Sequence, residues 1–342
     1  MPKKLKNDMQ VWKLARDLGL KPKDDPLTDI IRHCLNRLRS ILKDYPCETL
    51  TDLLETAATI LDTVFVEIHS DEDLERLKSE YLEKGETAFA LLEEELGPKA
   101  DAITFRLREA KRGDRQFVSV IDCRDHNAFR AYFSKWHELA HLLTLTQQLR
   151  FKFCRTHAEE KKNDPEEAVM DIIAGEIGFL PEMVKPHAKG EISFEKIDEL
   201  REKLCPGASF QASVIGFVKR WPSPCILVEV GLGYKKCEVR KLAQNSFGFI
   251  DAPTAELRVL HASANEQARR TGIFIPKNVR IPRESIVYQV FSDDLLLQAE
   301  AVENLSSWMT STSPVSREQR LLVRARRNGD HIMALILLDE CV

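Results

Sequence analysis

His137 and His141 stand four residues apart in the run His137-Glu138-Leu139-Ala140-His141. On a helix that spacing stacks two side chains on one face. Two imidazoles so placed can close on a single metal ion and leave room for a third protein ligand and a water. Glu138, next to the first histidine, is placed to take a proton from that water. Together the residue types point to metal-assisted hydrolysis, in which an ion activates water and a carboxylate acts as base. A buried histidine pair without metal would need other partners for its ring nitrogens, and the adjoining sequence supplies none.

These residues work only if a helix carries them. Phe129, Phe133, Trp136, Ala140 and Leu143 recur at intervals of three and four, which predicts an amphipathic helix with the histidines flanking its apolar stripe. A third ligand is expected on a second helix within 164–181, DPEEAVMDIIAGEIGFLP. There Asp164 suits the N-cap, Pro165 the first helical position, and Glu166 and Glu167 the first turn. Met170, Ile173, Ala174 and Ile177 form the apolar stripe. Glu167 and Asp171 share a face, and two readings compete. In one, Glu167 is a metal ligand and Asp171 holds a histidine by its free N–H. In the other, Glu167 is the capping-box partner of Asp164, and Asp171 is merely solvated. The upstream pair favours the first, because a catalytic zinc generally takes three protein ligands. Glu166 and Glu176 are alternatives for the same role.

The run from Arg130 through Phe133 to HELAH, followed by Glu167-x-x-x-Asp171-x-x-Ala174 and Pro181, resembles the ImmA/IrrE metallopeptidases, small gluzincin-like enzymes. The resemblance covers roughly residues 60–220 and is carried by the two motifs. It implies an α+β, zincin-like metallopeptidase domain with zinc (or manganese) held by His137, His141 and Glu167. Glu138 would then be the general base and Asp171 the partner that orients a ligand. It also implies a regulatory protein as substrate, typically a helix-turn-helix repressor. His126, Tyr132, Arg155 and His157 are within reach as groups that could assist an oxyanion. The rival reading is a non-catalytic regulatory or protein-binding module ordered by its metal; such a site has no use for Glu138, and structural zinc usually takes four cysteine-rich ligands.

The elements around the motifs follow from periodicity. Residues 27–63 read as two amphipathic helices, 65–68 as a short strand, and 72–96 as solvated helix. Stretches 103–108 and 117–122, separated by KRGDR, read as a hairpin, and its second arm is the expected strand for binding an extended substrate. Helices are expected over 192–204 and 209–219. Past Trp221-Pro-Ser-Pro224 come short apolar stretches at 225–230, 237–242, 257–262, 286–291, 321–326 and 331–338. The last two flank Asn328-Gly329, a strong hairpin signal. The division expected is an N-terminal helical segment over 1–60, a metallopeptidase domain over 61–222 and a β-rich accessory domain, barrel or sandwich, over 223–342. The arginines of that last region are expected on solvated surface.

Composition narrows the classes. The 342 residues are 43% hydrophobic and 30% charged, with a net charge of −4, which is the make-up of a globular protein and lacks the positive field of a nucleic-acid binder. Ala15-x-x-x-Gly19 has helix-turn-helix spacing, but the following KPKDDP is a poor recognition helix, so direct nucleic-acid binding is not expected. The basic N-terminus lacks the apolar core of a signal peptide, and no stretch has the length of a membrane span. Eight cysteines are scattered without a C-x-x-C pair, as expected of a reducing cytoplasm.

Overall fold

The computed structural model describes residues 5–96, 100–108, 110, 113–145, 164–235, 237–239, 254–308 and 319–338. The architecture is α+β, with a β-rich C-terminal part. The chain divides into two compact units, Met1–Met183 with Leu200–Gly216, and Val184–Glu199 with Phe217–Val342. The expected break at 60/61 therefore falls inside one unit, because the N-terminal helices pack on the helix that bears Glu167. The expected 222/223 boundary lies close to the later exchange point, although residues 184–199 also belong to the second unit.

The first unit opens with α1 (Met9–Asp17), α2 (Pro26–Asp44) and α3 (Leu50–Ile60). Asp25 caps α2, and Pro26 occupies its first turn. Pro26 was expected to oppose helicity; with no N–H to lose at that position, it starts the helix instead. Thr49 and Asp52 form a reciprocal capping box on α3. Strands β1 (Thr63–Ile68), β2 (Ala102–Arg106) and β3 (Phe117–Asp122) make a three-stranded sheet in the order β1-β3-β2. The hairpin expected from sequence is present, with Ile103 opposite Val120. β1 joins its far side in parallel, with Thr63 opposite Phe117. Every residue of β3 is buried, Ser119 and Asp122 included, which is why its sequence does not alternate between apolar and polar. Between β1 and β2 lies α4 (Asp71–Glu83), capped by Ser70. Leu74, Leu77 and Tyr81 of α4 pack with Ile103, Phe105, Val118 and Val120 on one sheet face. On the other face, Ala102, Ile121 and Cys123 cluster with Phe65 and Ala131. There the sheet meets α5 (Ala131–Thr144), which packs in turn on α6 (Pro165–Ile177). Two further helices, α7 (Phe194–Leu204) and α8 (Phe210–Arg220), contain two of the three points at which the chain passes between units.

In the second unit, β4 (Cys225–Gly233), β5 (Glu256–Ala264), β6 (Gln298–Asn304), β7 (Arg320–Asn328) and β8 (His331–Leu338) form one antiparallel sheet in the order β5-β4-β8-β7-β6. Among the described residues it is a single sheet, where a barrel or sandwich was expected. Asn328 pairs with His331, so the β7–β8 loop is Gly329-Asp330, with Gly329 at φ +60° in its first position. The hairpin is where the Asn-Gly signal put it, but the turn is of the Gly-first kind and Asn328 belongs to the strand. Two expected strands are helical. Residues 237–239 lie in a helical turn, the rest of that stretch being outside the described residues. Residues 286–291 lie in α10 (Ile286–Ser292), which follows α9 (Glu266–Thr271) and is capped by Ser285. A short apolar run does not by itself tell a strand from a buried helix, and here the serine cap decides. Val228, Val230, Val259, Val287, Val290, Trp308, Val323 and Ile336 belong to the core of this unit. Several of the arginines expected on solvated surface are tied down. Arg324 pairs with Glu300 and Glu191, Arg326 with Asp198, and Arg327 donates to the carbonyls of Val290, Phe291 and Asp293.

Candidate metal centre

α5 differs from the simple stripe expected. The helix begins at Ala131, after a 3-10 turn over Asp125–Arg130, and Phe129 in that turn is 70% exposed. Tyr132, Trp136, Leu139, Ala140, Leu142 and Leu143 are buried, so sheet and helices cover much of its circumference. Arg130 pairs with Asp101 at 2.7 Å where the turn enters the helix. At its far end α6 closes on α5 through Gly178, where an added Cβ would meet the Trp136 ring at 3.0 Å.

The two helices bring His137, His141 and Glu167 together. The Nε2 atoms of the histidines are 3.2 Å apart. Glu167 Oε2 lies 3.2 Å from His137 Nε2, and Glu167 Oε1 lies 3.6 Å from His141 Nε2. Two zinc bonds of about 2.0–2.1 Å meeting near the tetrahedral angle separate their donors by about 3.4 Å. The triangle of donors therefore fits one ion of that size. All three side chains are only slightly exposed, at 13%, 10% and 18%. Asp171 Oδ1 lies 2.9 Å from His137 Nδ1, which turns the opposite ring nitrogen toward the centre. The N-cap carboxylate of Asp164 accepts the Glu166 N–H at 2.8 Å. Neither Glu166 nor Glu176 enters the donor group.

Glu138 points to the sheet side of α5 and is fully buried. Its Oε2 accepts the Thr104 hydroxyl of β2 at 2.6 Å. Thr104 Oγ1 is 2.6 Å from Ser119 Oγ of β3, which is 3.2 Å from Thr63 Oγ1 of β1. A line of three buried hydroxyls, one per strand, thus ends on the Glu138 carboxylate. Sequence reading missed this line: Thr104 and Ser119 lay inside expected strands, whereas Thr63 fell at the end of a stretch read as helix.

Other expectations fare differently. β3, the arm expected to bind an extended substrate, is paired on both sides, and the edge of the sheet beside α5 is β2. Tyr132 donates its hydroxyl to the Gly178 carbonyl at 2.7 Å and packs edge-on against Trp136 and Phe179, so it serves as a buried tie between α5 and α6. Arg155, His157 and the His126 side chain lie outside the described residues. Burial pushes the thiols of Cys34, Cys205 and Cys225 up to about 12, which leaves them inert as nucleophiles at neutral pH. Among the described residues no helix is long and apolar enough to cross a membrane.

No family model matches the chain, and no curated protein matches it. Among solved structures, a Mycobacterium tuberculosis transcriptional regulator aligns over 93% of this chain and 81% of that chain, at 10% identity and a TM-score of 0.41. A likeness at that level carries no argument about fold or function.

Proposed function

We propose that this chain is a metal-dependent endopeptidase of zincin-like architecture, related to the ImmA/IrrE metallopeptidases. The observation that carries the reading is the convergence of His137, His141 and Glu167 on a space of ionic size, with Asp171 on the free nitrogen of His137. Zinc is the ion that suits two imidazoles and a carboxylate, and manganese is the alternative. Bound there, the ion would polarise a peptide carbonyl and make its water acidic enough to attack near neutral pH. His137, His141 and Glu167 hold the site from two helices, and Asp171 fixes the tautomer of His137. The Glu138 carboxylate takes the proton of the attacking water and returns it to the leaving amine. Thr104 restrains that carboxylate during both transfers. A protein regulator, a helix-turn-helix repressor being the family precedent, is the substrate class, met in a reducing cytoplasm.

A second reading keeps the metal and drops the turnover: a regulatory or protein-binding module ordered by its ion. The full burial of Glu138 favours it, since a base must reach a water. Three variants decide. His137→Ala and His141→Ala are expected to abolish stoichiometric metal at this centre, whereas Glu138→Gln keeps the metal and stops cleavage of a regulator substrate. Cleavage by Glu138→Gln at the wild-type rate would remove the base from the mechanism.

A further inference from the structure

β1 ends at Ile68 and β3 at Asp122, and the residues at these two ends approach one another on the α5 side of the sheet. Cys123 N–H donates to the Ile68 carbonyl at 2.8 Å, which continues the β1–β3 ladder one residue beyond the strands. His69 N–H donates to Asp73 Oδ2 at 3.1 Å, which ties the exit from β1 to the first turn of α4. The backbone is thereby fixed at both places, and three donors of different chemistry converge. A carboxylate oxygen of Glu67, a ring nitrogen of His69 and the sulfur of Cys123 all lie within 4.8 Å of one another. Glu67 Oε2 is 3.2 Å from His69 Nε2. The other oxygen, Oε1, receives the ammonium of Lys135 from α5, which orients the carboxylate as an outer partner of a metal ligand does. Cys123 is buried at 6% exposure, while Glu67 and His69 are exposed. All three donors and Lys135 line a cavity of about 760 Å³ between α3, β1 and the start of α5.

We propose that Glu67, His69 and Cys123 form a second cation site, for a zinc-class divalent ion, whose fourth position opens into this cavity. An ion pair between Lys135 and Glu67 needs neither the imidazole nor the thiol; the three together are the mixed oxygen, nitrogen and sulfur set that zinc and its neighbours accept. Coordination deprotonates the thiol outright, and the proton goes to solvent as the S–metal bond forms. Thiolate and carboxylate then balance the two charges of the ion, and Lys135 keeps its hold on Glu67 Oε1. Three protein ligands and an open position, against a space large enough for a small molecule, are the features of a site that binds an exogenous ligand and not of a closed structural one.

The two centres differ in one chemical respect that an experiment can read, since only this one contains sulfur. The full chain, stripped of metal and titrated with Co²⁺, should develop a near-ultraviolet thiolate-to-cobalt charge-transfer band of one-thiolate intensity that is complete by two equivalents, one for each centre. The band should vanish in Cys123→Ser and in His69→Ala, and persist in His141→Ala, whose lesion lies at the other centre. His69 is 62% exposed, so its replacement leaves folding intact even if Cys123→Ser does not. Native mass spectrometry should count two ions on the wild type and one on His69→Ala. A wild-type chain without the band, or a band untouched by His69→Ala, overturns the proposal. Because the band does not depend on hydrolysis, its loss would say nothing against the peptidase reading.

Discussion

Glu167 is the residue on which the proposed centre turns, because it is the α6 side chain in the donor group with the two histidines. Glu167→Gln is expected to weaken metal affinity strongly, while Glu166→Gln, whose side chain is outside the donor group, should do little. Asp171→Asn removes the carboxylate charge from His137 Nδ1 and should cost about 10- to 100-fold in affinity or activity. Metal titration of the three variants separates a ligand from a capping residue, since Gln caps nearly as well as Glu. Unchanged affinity in Glu167→Gln would remove the ligand assignment. Thr104 belongs to the same scale. Its hydroxyl donates to Glu138, and a hydrogen bond to a charged group is worth about 1.5–3 kcal/mol. Thr104→Val should therefore leave metal content unchanged and slow cleavage by about 10- to 100-fold, with Thr104→Ser restoring it. A variant that loses stability but cleaves normally would make Thr104 a packing residue only.

Among the elements, α2 shows how a helix remote from the centre is still held by local chemistry. Asp25 accepts the Thr28 N–H and hydroxyl and pairs with Lys6 at 2.8 Å. Burial raises its pKa, but the bonds from Lys6 and Thr28 outweigh that and hold the carboxyl below its usual value. The folded-state pKa is the lower one, so the stabilisation is present above the unfolded value of about 3.9 and fades as pH falls through the folded one. Asp25→Ala should cost about 0.5–2 kcal/mol at neutral pH in urea unfolding, and the gap from wild type should narrow in acid. A gap independent of pH would assign the effect to the helix alone. The same element shows what sequence can reveal. Long amphipathic helices such as α2 and α3 declare themselves by repetition, and both motif helices were legible, with His137, His141 and Glu167 on the faces that come together. β6 was not: its residues alternate between exposed and half-buried, and a polar edge strand has no apolar period to read. The parallel partnership of β1 and β3 was also hidden, because strand order is decided by packing between distant segments. Thr104, Ser119 and Thr63 were each visible, but nothing in one sequence says that three hydroxyls will line up.

At the scale of the whole molecule, the core led by Trp308 and Val323 belongs to one unit and the His137 centre to the other. A ligand that binds only the folded state stabilises it by about 2.7 kcal/mol when present at 100 times its dissociation constant. An ion held by His137, His141 and Glu167 would bridge α5 and α6, so adding zinc to the stripped protein should slow amide hydrogen exchange in peptides from 131–144 and 165–177. Peptides from 320–338 should exchange as before. Equal slowing in both sets would mean that metal acts on the chain globally, and slowing in neither would leave α5 and α6 held without an ion.

The row of hydroxyls through the sheet gives insertions and deletions two opposite fates. The three links join Thr63, Ser119, Thr104 and Glu138, so a residue gained or lost between β2 and β3 that keeps the strand pairing is expected to leave Glu138 undisturbed. One residue added within β3 ahead of Ser119 is another matter. A shift of one position turns each side chain to the other face of a sheet, and Ser119, whose oxygen lies near both Thr63 and Thr104, would leave both neighbours at once. The reading frame of this strand, more than the length of any loop, is what variation in the chain is expected to preserve.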